Sequence, residues 1–284
     1  MAGQNKTKTL PRIARKPRGP LDRAGPLRAP GPESDAQGSV IAVYSVKGGV
    51  GKSTLAANLA WCAAQAGRRT LLWDLDAAGG AGFLLGAEPE AHGGAASDLF
   101  ARLRSPKRLI RETAFERLDL LPADESIRAL DAQLLRLGKR RRVAKLAAEL
   151  AEQYDVIILD CPPVLNELSA QVMRAADAVI VPLPPSPLSA RALDLVKQEI
   201  ATHGVQRPPM LPVLSMLDLR RALHREVREG NPGWPAVPYA SVVEQGAVRR
   251  LPVGAFAPSS PAAQAFERLW QAIAARLESR AANR

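Results

Sequence analysis

The stretch "YSVKGGVGKSTLAAN", Tyr44 to Asn58, decides how the rest of this chain is read. An apolar run leads into it, a helical pattern leaves it, and glycines fill the turn between. Glycine lets successive backbone N–H groups converge on phosphate oxygens, and the start of the following helix adds partial positive charge. Lys52 then stands where it neutralises the β- and γ-phosphates of a nucleoside triphosphate, and the Ser53 hydroxyl where it ligates magnesium. Two details depart from the general phosphate-loop pattern. Val46 occupies the place of the first glycine, five residues before Gly51, and a second lysine, Lys47, precedes Lys52 by five positions. One pocket needs one such lysine, so Lys47 calls for a second task.

Outward from this loop, short apolar runs alternate with longer helical stretches. The runs are "SVIAVYSV" (Ser39 to Val46), "TLLWDLD" (Thr70 to Asp76), "LDLLPA" (Leu118 to Ala123), "DVIILD" (Asp155 to Asp160), "AVIVPL" (Ala178 to Leu183) and "MLPVLSML" (Met210 to Leu217). Helical patterns cover Lys52 to Ala66, Ser126 to Glu152 and Ser189 to Thr202, the first stopping at Gly67. Near-continuous apolar strands alternating with helices predict a three-layer α/β/α fold, a doubly wound and mostly parallel sheet covered on both faces. The last stretch, "AAQAFERLWQAIAARLESR", places Phe266, Leu269, Trp270, Ile273 and Leu277 on one helical face, for the core or for a membrane surface or partner.

Residues 1–37 are of another kind. Six prolines and eight cations, among them Lys6, Lys8, Arg12, Arg15, Lys16 and Arg18, come with almost no large apolar residues. Such a segment cannot bury enough surface to offset its ordering entropy, so a disordered basic tail is expected before an ATPase domain over 38–284. A transit peptide is the alternative, although the prolines spoil the amphipathic helix that such peptides form. With 46% apolar residues over 284 positions the chain can bury a core, and no run is long and apolar enough to span a membrane. No hydrophobic leader is present either, so the expected compartment is cytoplasmic. Cys62 and Cys161 lie in no metal-binding pattern. A formal charge of +11 favours a polyanionic partner.

Two carboxylate motifs strengthen the nucleotide reading. "YDVIILDCPP" ends an apolar strand in Asp160, where an acid at the carboxyl edge of the sheet can hold magnesium through a water. "LLWDLDAAGG" puts Asp74 and Asp76 at the end of another strand, and alternation predicts that they share a face. Like charges so close are costly unless a cation or the chemistry uses them.

Together, "KGGVGKST", "LLWDLDAAGG", "LDLLPAD" and "YDVIILDCPP" resemble in order and spacing the ParA/MinD family of deviant Walker ATPases, SIMIBI-class P-loop proteins, over about residues 39–279. "VPYASVVEQG" and "AFAPSSPAAQAFERLWQAI" bring the resemblance closer to the ParA branch. It implies that Gly48, Gly49, Val50, Gly51, Lys52 and Ser53 surround the phosphates of ATP, that Lys52 acts in cis, that Ser53 ligates Mg2+, and that Thr54 lies near the α-phosphate. Asp76 matches the acid that positions the attacking water, Asp74 the metal-side acid of the same switch, and Asp160 the Walker B acid. Lys47 matches the lysine that reaches across a dimer to the partner's nucleotide. Pro238 matches the adenine contact, with Met216 and Asp218 as further candidates around the base. The implied reaction is slow, partner-stimulated ATP hydrolysis that times a monomer–dimer cycle. The implied partners are a second copy of the chain, nonspecific DNA of the nucleoid, and a ParB-like or cargo adaptor protein.

The resemblance is not complete. ParA proteins continue the second motif as DPQGN, whereas Ala77, Ala78 and Gly79 follow Asp76 here; Val242 and Val243 stand where they often carry a basic residue. Replacement DNA surfaces are the tail, "KRRR" (Lys139 to Arg142), "LRRALHREVR" (Leu219 to Arg228) and the pair Arg249 and Arg250. Two other roles fit the same motifs: a MinD-like membrane organiser anchored by its last helix, and an accessory ATPase of a secretion, polysaccharide or motility apparatus. Reductases of the fold need cluster-ligating cysteines, and its tyrosine kinases a terminal tyrosine cluster; this chain has neither.

Overall fold

The computed structural model describes residues 38–87, 95–101, 105–138, 141–203 and 208–282; the expected tail, residues 1–37, and Lys139 and Arg140 of the "KRRR" run lie outside them. The strands are β1 (Ser39–Val43), β2 (Thr70–Asp74), β3 (Arg111–Glu112), β4 (Leu118–Leu121), β5 (Val156–Asp160), β6 (Ala178–Leu183), β7 (Met210–Leu217) and β8 (Ala236–Pro238). The α-helices are α1 (Lys52–Gln65), α2 (Gly80–Leu84), α3 (Ala95–Ala101), α4 (Leu130–Leu137), α5 (Arg142–Leu150), α6 (Glu167–Ala175), α7 (Pro187–His203), α8 (Ala222–Gly230), α9 (Ser241–Arg249), α10 (Val253–Phe256) and α11 (Pro261–Ala282).

The strands form one sheet in the order β3-β4-β2-β5-β1-β6-β7-β8. Every neighbouring pair is parallel except β3 with β4. All residues of β2, β5 and β6 are buried, which is why these strands read as continuous apolar runs. Alternate side chains feed two cores. Leu71, Trp73, Ile157, Leu159, Val179 and Val181 face the one covered by α5, α6 and α7. Ile41, Val43, Leu72, Ile158 and Ile180 face the one covered by α1 and α11. The expected three-layer, mostly parallel α/β fold is therefore present. From β1 the chain runs toward β2, and from β6 toward β7 on the opposite side, so a crevice opens beyond the carboxyl ends of β1 and β6.

Three local expectations change. The helix expected over Ser126 to Glu152 is two helices, because Gly138 closes α4 at φ 59° and α5 begins only at Arg142. The first apolar run pairs only as far as Val43, leaving Tyr44 to Val46 to enter the loop. The edge strands β3 and β8, of two and three residues, carry too little pattern to be seen in sequence. The last helix resolves its open choice, since Phe266, Leu269, Trp270 and Ile273 are buried in the core and Leu277 packs against it. Among the described residues, no helix is long and apolar enough to cross a membrane.

Gly254 shows how closely α10 packs on α1. A Cβ there would sit 2.1 Å from Trp61 Cζ3 and 2.5 Å from Cη2, so the ring would have to shift. Gly254→Ala is expected to cost about 2 kcal/mol or more in urea unfolding, within the usual range for overpacking. A variant as stable as the parent would show that Trp61 can move aside.

Candidate active site

The loop after β1 turns through two glycines in left-handed conformation, Gly49 at φ 69° and Gly51 at φ 89°. Gly51 caps α1 with backbone alone, its carbonyl accepting the Leu55 N–H at 2.8 Å. No side chain caps α1 and no acid lies in its first turn, so its leading N–H groups are left for an anion. Val46 is half-buried against the core, so the place of the missing glycine is a packing position.

The two lysines diverge. Lys52 is only 7% exposed, with Nζ 3.5 Å from the Lys47 carbonyl oxygen. Burial lowers its pKa, while the charges of Asp160 and Asp76 act to raise it. Lys47 is half-buried and sends Nζ across the crevice to Ser186 Oγ, at 3.5 Å, in the loop after β6. Ser186 Oγ lies 2.9 Å from Ser189 Oγ in the first turn of α7. These serines carry no sequence signal that ties them to Lys47, 139 residues away.

The acids gather at the carboxyl end of the sheet. β5 lies between β1 and β2, and its last residue, Asp160, is in register with Val43 on one side and Asp74 on the other. Asp160 is fully buried, and neither of its carboxylate oxygens has a hydrogen-bond partner. Burial raises its pKa well above the ordinary value, Asp74 and Asp76 add to this, and Ser53 and Lys52 oppose it. A buried carboxylate with both oxygens free beside the Ser53 hydroxyl suits a divalent cation, which favours oxygen donors and offsets such charge.

Asp74 differs, although it is buried as completely. One of its oxygens accepts the Asp76 N–H at 3.1 Å and the other the Gly82 N–H at 3.0 Å. It thus ties the turn that follows β2, and burial raises its pKa as well. Because β2 ends at Asp74, strand alternation does not set the position of Asp76. The turn does: Asp76 Oδ1 accepts the Ala78 N–H at 3.0 Å and its carbonyl the Gly79 N–H at 2.8 Å. Ala77 packs against the core, and Gly80 passes so close that a Cβ on it would sit 2.9 Å from Ser53 Oγ. Sequence patterning does not single out Gly80, whose task is contact rather than chemistry.

Across the loop, Met216 takes a left-handed φ of 53°, with Cε 3.5 Å from where a Gly51 Cβ would stand. Pro238 ends β8 opposite Leu217, so both candidates for the base lie on the same edge as the loop. Asp218 is occupied elsewhere. Its carboxylate takes two bonds from Arg220, at 2.8 and 3.0 Å, and its N–H donates to His224 Nδ1. The Arg220 bond holds its pKa down at about 2. Thr54 uses its carbonyl to accept from Asn58, whose side chain in turn accepts the Val253 N–H.

The basic surfaces are reshaped by local contacts. Arg220 and Arg221 pair with Asp218, and Arg225 donates to the Leu219 and Arg220 carbonyls. Arg249 and Arg250, a further candidate DNA pair, lie over Phe256 and Phe83, with ring centroids 4.9 and 4.6 Å away. Val242 and Val243 pack against the core. A cavity of about 490 Å³ between α1 and α11, lined by Trp61, Cys62 and Trp270 among others, includes no residue of the phosphate loop and none of Asp74, Asp76 and Asp160.

A family model described as an AAA domain matches residues 38–206. The chromosome partitioning protein ParA of Myxococcus xanthus is 33% identical over 204 residues, 68% of this chain and 70% of that protein. The sporulation initiation inhibitor protein Soj of Bacillus subtilis is 36% identical over 147 residues, 51% of this chain and 58% of its own length. Among solved structures, a cobyrinic acid a,c-diamide synthase from Mycobacterium smegmatis, with bound ATP analog and magnesium, aligns at TM-score 0.71 and 26% identity, covering 85% of this chain and 96% of that one. The septum site-determining protein MinD of Pyrococcus horikoshii, complexed with Mg-ADP, shares the fold at TM-score 0.67 and 23% identity, covering 83% and 95%. The family match spans the loop and all three acids and ends before Met216 and Pro238.

Proposed function

This chain belongs to the ParA/MinD family of P-loop ATPases, and we propose that residues 38–284 act within it as a Mg-ATP-dependent dimerising switch. The ATP-bound dimer binds nonspecific DNA and positions DNA or another cargo, and an adaptor of ParB-like or other type stimulates its slow turnover. The observation that carries this reading is the divergence of the two lysines, with Lys52 buried beside Asp160 and Asp76 while Lys47 reaches away to Ser186.

In this reading the loop N–H groups and Lys52 bind the triphosphate, and Gly48 to Ser53 wrap it while Thr54 lies near the α-phosphate. Ser53 and Asp160 would hold Mg2+, and Asp74 fixes the turn on the metal side. The ion, when bound, neutralises charge on the phosphate oxygens. Asp76 orients the attacking water, and Lys47 leaves Ser186 to meet the nucleotide of a second copy, adding positive charge where the transition state gathers negative charge. Met216 and Pro238 border the adenine.

Sedimentation of the parent and of Asp76→Ala with ATP, with ADP and without nucleotide, each with and without duplex DNA, tests the cycle. A dimer with ATP alone, persisting in Asp76→Ala and co-sedimenting with DNA, is the expected result. Monomers under all conditions would end the switch reading. The MinD-like membrane alternative loses its carrier, because the apolar face of α11 is buried in the core.

A further inference from the structure

Arg250 ends α9 at φ 57°, in the left-handed region where a side chain is strained. Glycine would take that conformation freely, so an arginine there must be held by something else. Its guanidinium lies 4.6 Å over the Phe83 ring, Nε donates to the Phe83 carbonyl at 3.3 Å, and a terminal nitrogen donates to the Ala87 carbonyl at 2.6 Å. Phe83 lies in the last turn of α2 and Ala87 just beyond it, at the helix end that favours a cation; the Phe83 carbonyl also accepts the Gly86 N–H at 3.1 Å, so the Arg250 bond there is its second.

Helix α2 directly follows the turn that carries Asp76, and it is pinned along its length. Its first residue, Gly80, lies against Ser53, the Gly82 N–H is held by Asp74, and its end is held by Arg250. The first two holds belong to the nucleotide machinery itself. The third comes from α9, 167 residues further along the chain.

We propose that Arg250 is a positioning residue for ATP hydrolysis, clamping the end of α2 so that the turn from Asp74 to Gly82 keeps Asp76 in place, and coupling α9 to that turn. The proposal rests on the ATPase reading above. Asp76 is bonded through its carboxylate and carbonyl to Ala78 and Gly79, immediately before α2, so a shift of α2 shifts Asp76. The outer face of α9, with Glu244, Gln245 and the 85% exposed Val248, is open. Pressure on that face reaches the water-positioning acid by way of α2, which Arg250 holds at its end.

Arg250→Gly separates a clamp from a merely structural arginine, because glycine keeps the left-handed backbone and removes the contacts. The expected result is an unfolding midpoint at or above the parent's, with hydrogen exchange over residues 79–87 of nucleotide-free protein faster by about tenfold. The kcat for ATP falls about 10- to 100-fold with KM within about twofold, as for a misplaced catalytic group, and Arg250→Lys recovers part of the loss. Parental exchange over 79–87, or parental kcat, in Arg250→Gly overturns the proposal, and so does a joint loss of kcat, ATP affinity and unfolding midpoint. The exchange measurement needs no turnover. Asp76→Ala, assayed alongside, separates the two readings: hydrolysis unaffected by it would remove Asp76 as the water-positioning acid and overturn the proposal, whereas no hydrolysis by the parent itself would sink the ATPase reading and leave the exchange result to decide the clamp.

Discussion

Lys52→Ala is expected to weaken ATP binding by about 10- to 100-fold, the worth of one or two charge-assisted hydrogen bonds. Lys47→Ala should leave the monomer's ATP affinity within about twofold and lower hydrolysis by about 100-fold or more, in the manner of a charge supplied in trans. The contrast follows from where the ammonium groups sit. Lys52 is buried beside Asp160 and Asp76, and without it a triphosphate would meet those acids with no fixed cation opposite. Lys47 Nζ rests at Ser186, on the far side of the crevice, and makes no bond to the acids. Titration with a fluorescent ATP analogue reads the first effect, and phosphate release at several protein concentrations reads the second. If both variants lose ATP affinity equally, Lys47 acts in cis and the dimer reading fails.

Asp160→Asn is expected to abolish measurable turnover, a fall of at least about 100-fold, while making the metal-free protein more stable. Neither Asp160 oxygen has a partner, and burial with Asp74 and Asp76 nearby raises its pKa well above the unfolded value. Between those two pKa values the folded chain binds a proton that the unfolded chain does not. Stability without metal therefore rises as pH falls through that window, and is lost as pH climbs through the folded pKa. Above the folded pKa, removing the charge should stabilise the nucleotide-free protein by on the order of 1 kcal/mol in the presence of a chelator. As pH falls through the folded pKa the gap closes, because the parent's carboxyl protonates. Urea unfolding of parent and variant across a pH series checks this. A variant less stable than the parent at every pH would mean that Asp160 is compensated in some other way.

A stability cost retained at a functional acid also explains why Asp160 is legible in the sequence. An acid that closes the apolar run "DVIILD" contradicts its surroundings, and such a contradiction marks chemistry. Asp74 looks the same in sequence, yet its oxygens are taken by two N–H groups. Nothing in "LLWDLDAAGG" tells a carboxylate that ties a turn from one left open.

What the sequence alone determined is what depends on neighbours along the chain. The strand Ala178–Leu183 matches its apolar run residue for residue, because burial on both faces writes itself into every position of an inner strand; Met210–Leu217 matches its own run although Met210 and Pro212 are half-buried and Met216 is exposed. The glycines of the loop are legible for the same reason, since a left-handed φ is a demand on one residue. Tertiary structure alone decided the distant charge contacts. Arg250 reads as half of a basic pair, and only the fold brings it over the Phe83 ring, 167 residues away, with its Nε donating to the Phe83 carbonyl. Lys47 has no visible partner until sheet order brings β6 beside β1. A charge finds its partner through space, and the order of strands that sets those distances is written nowhere along the chain near it.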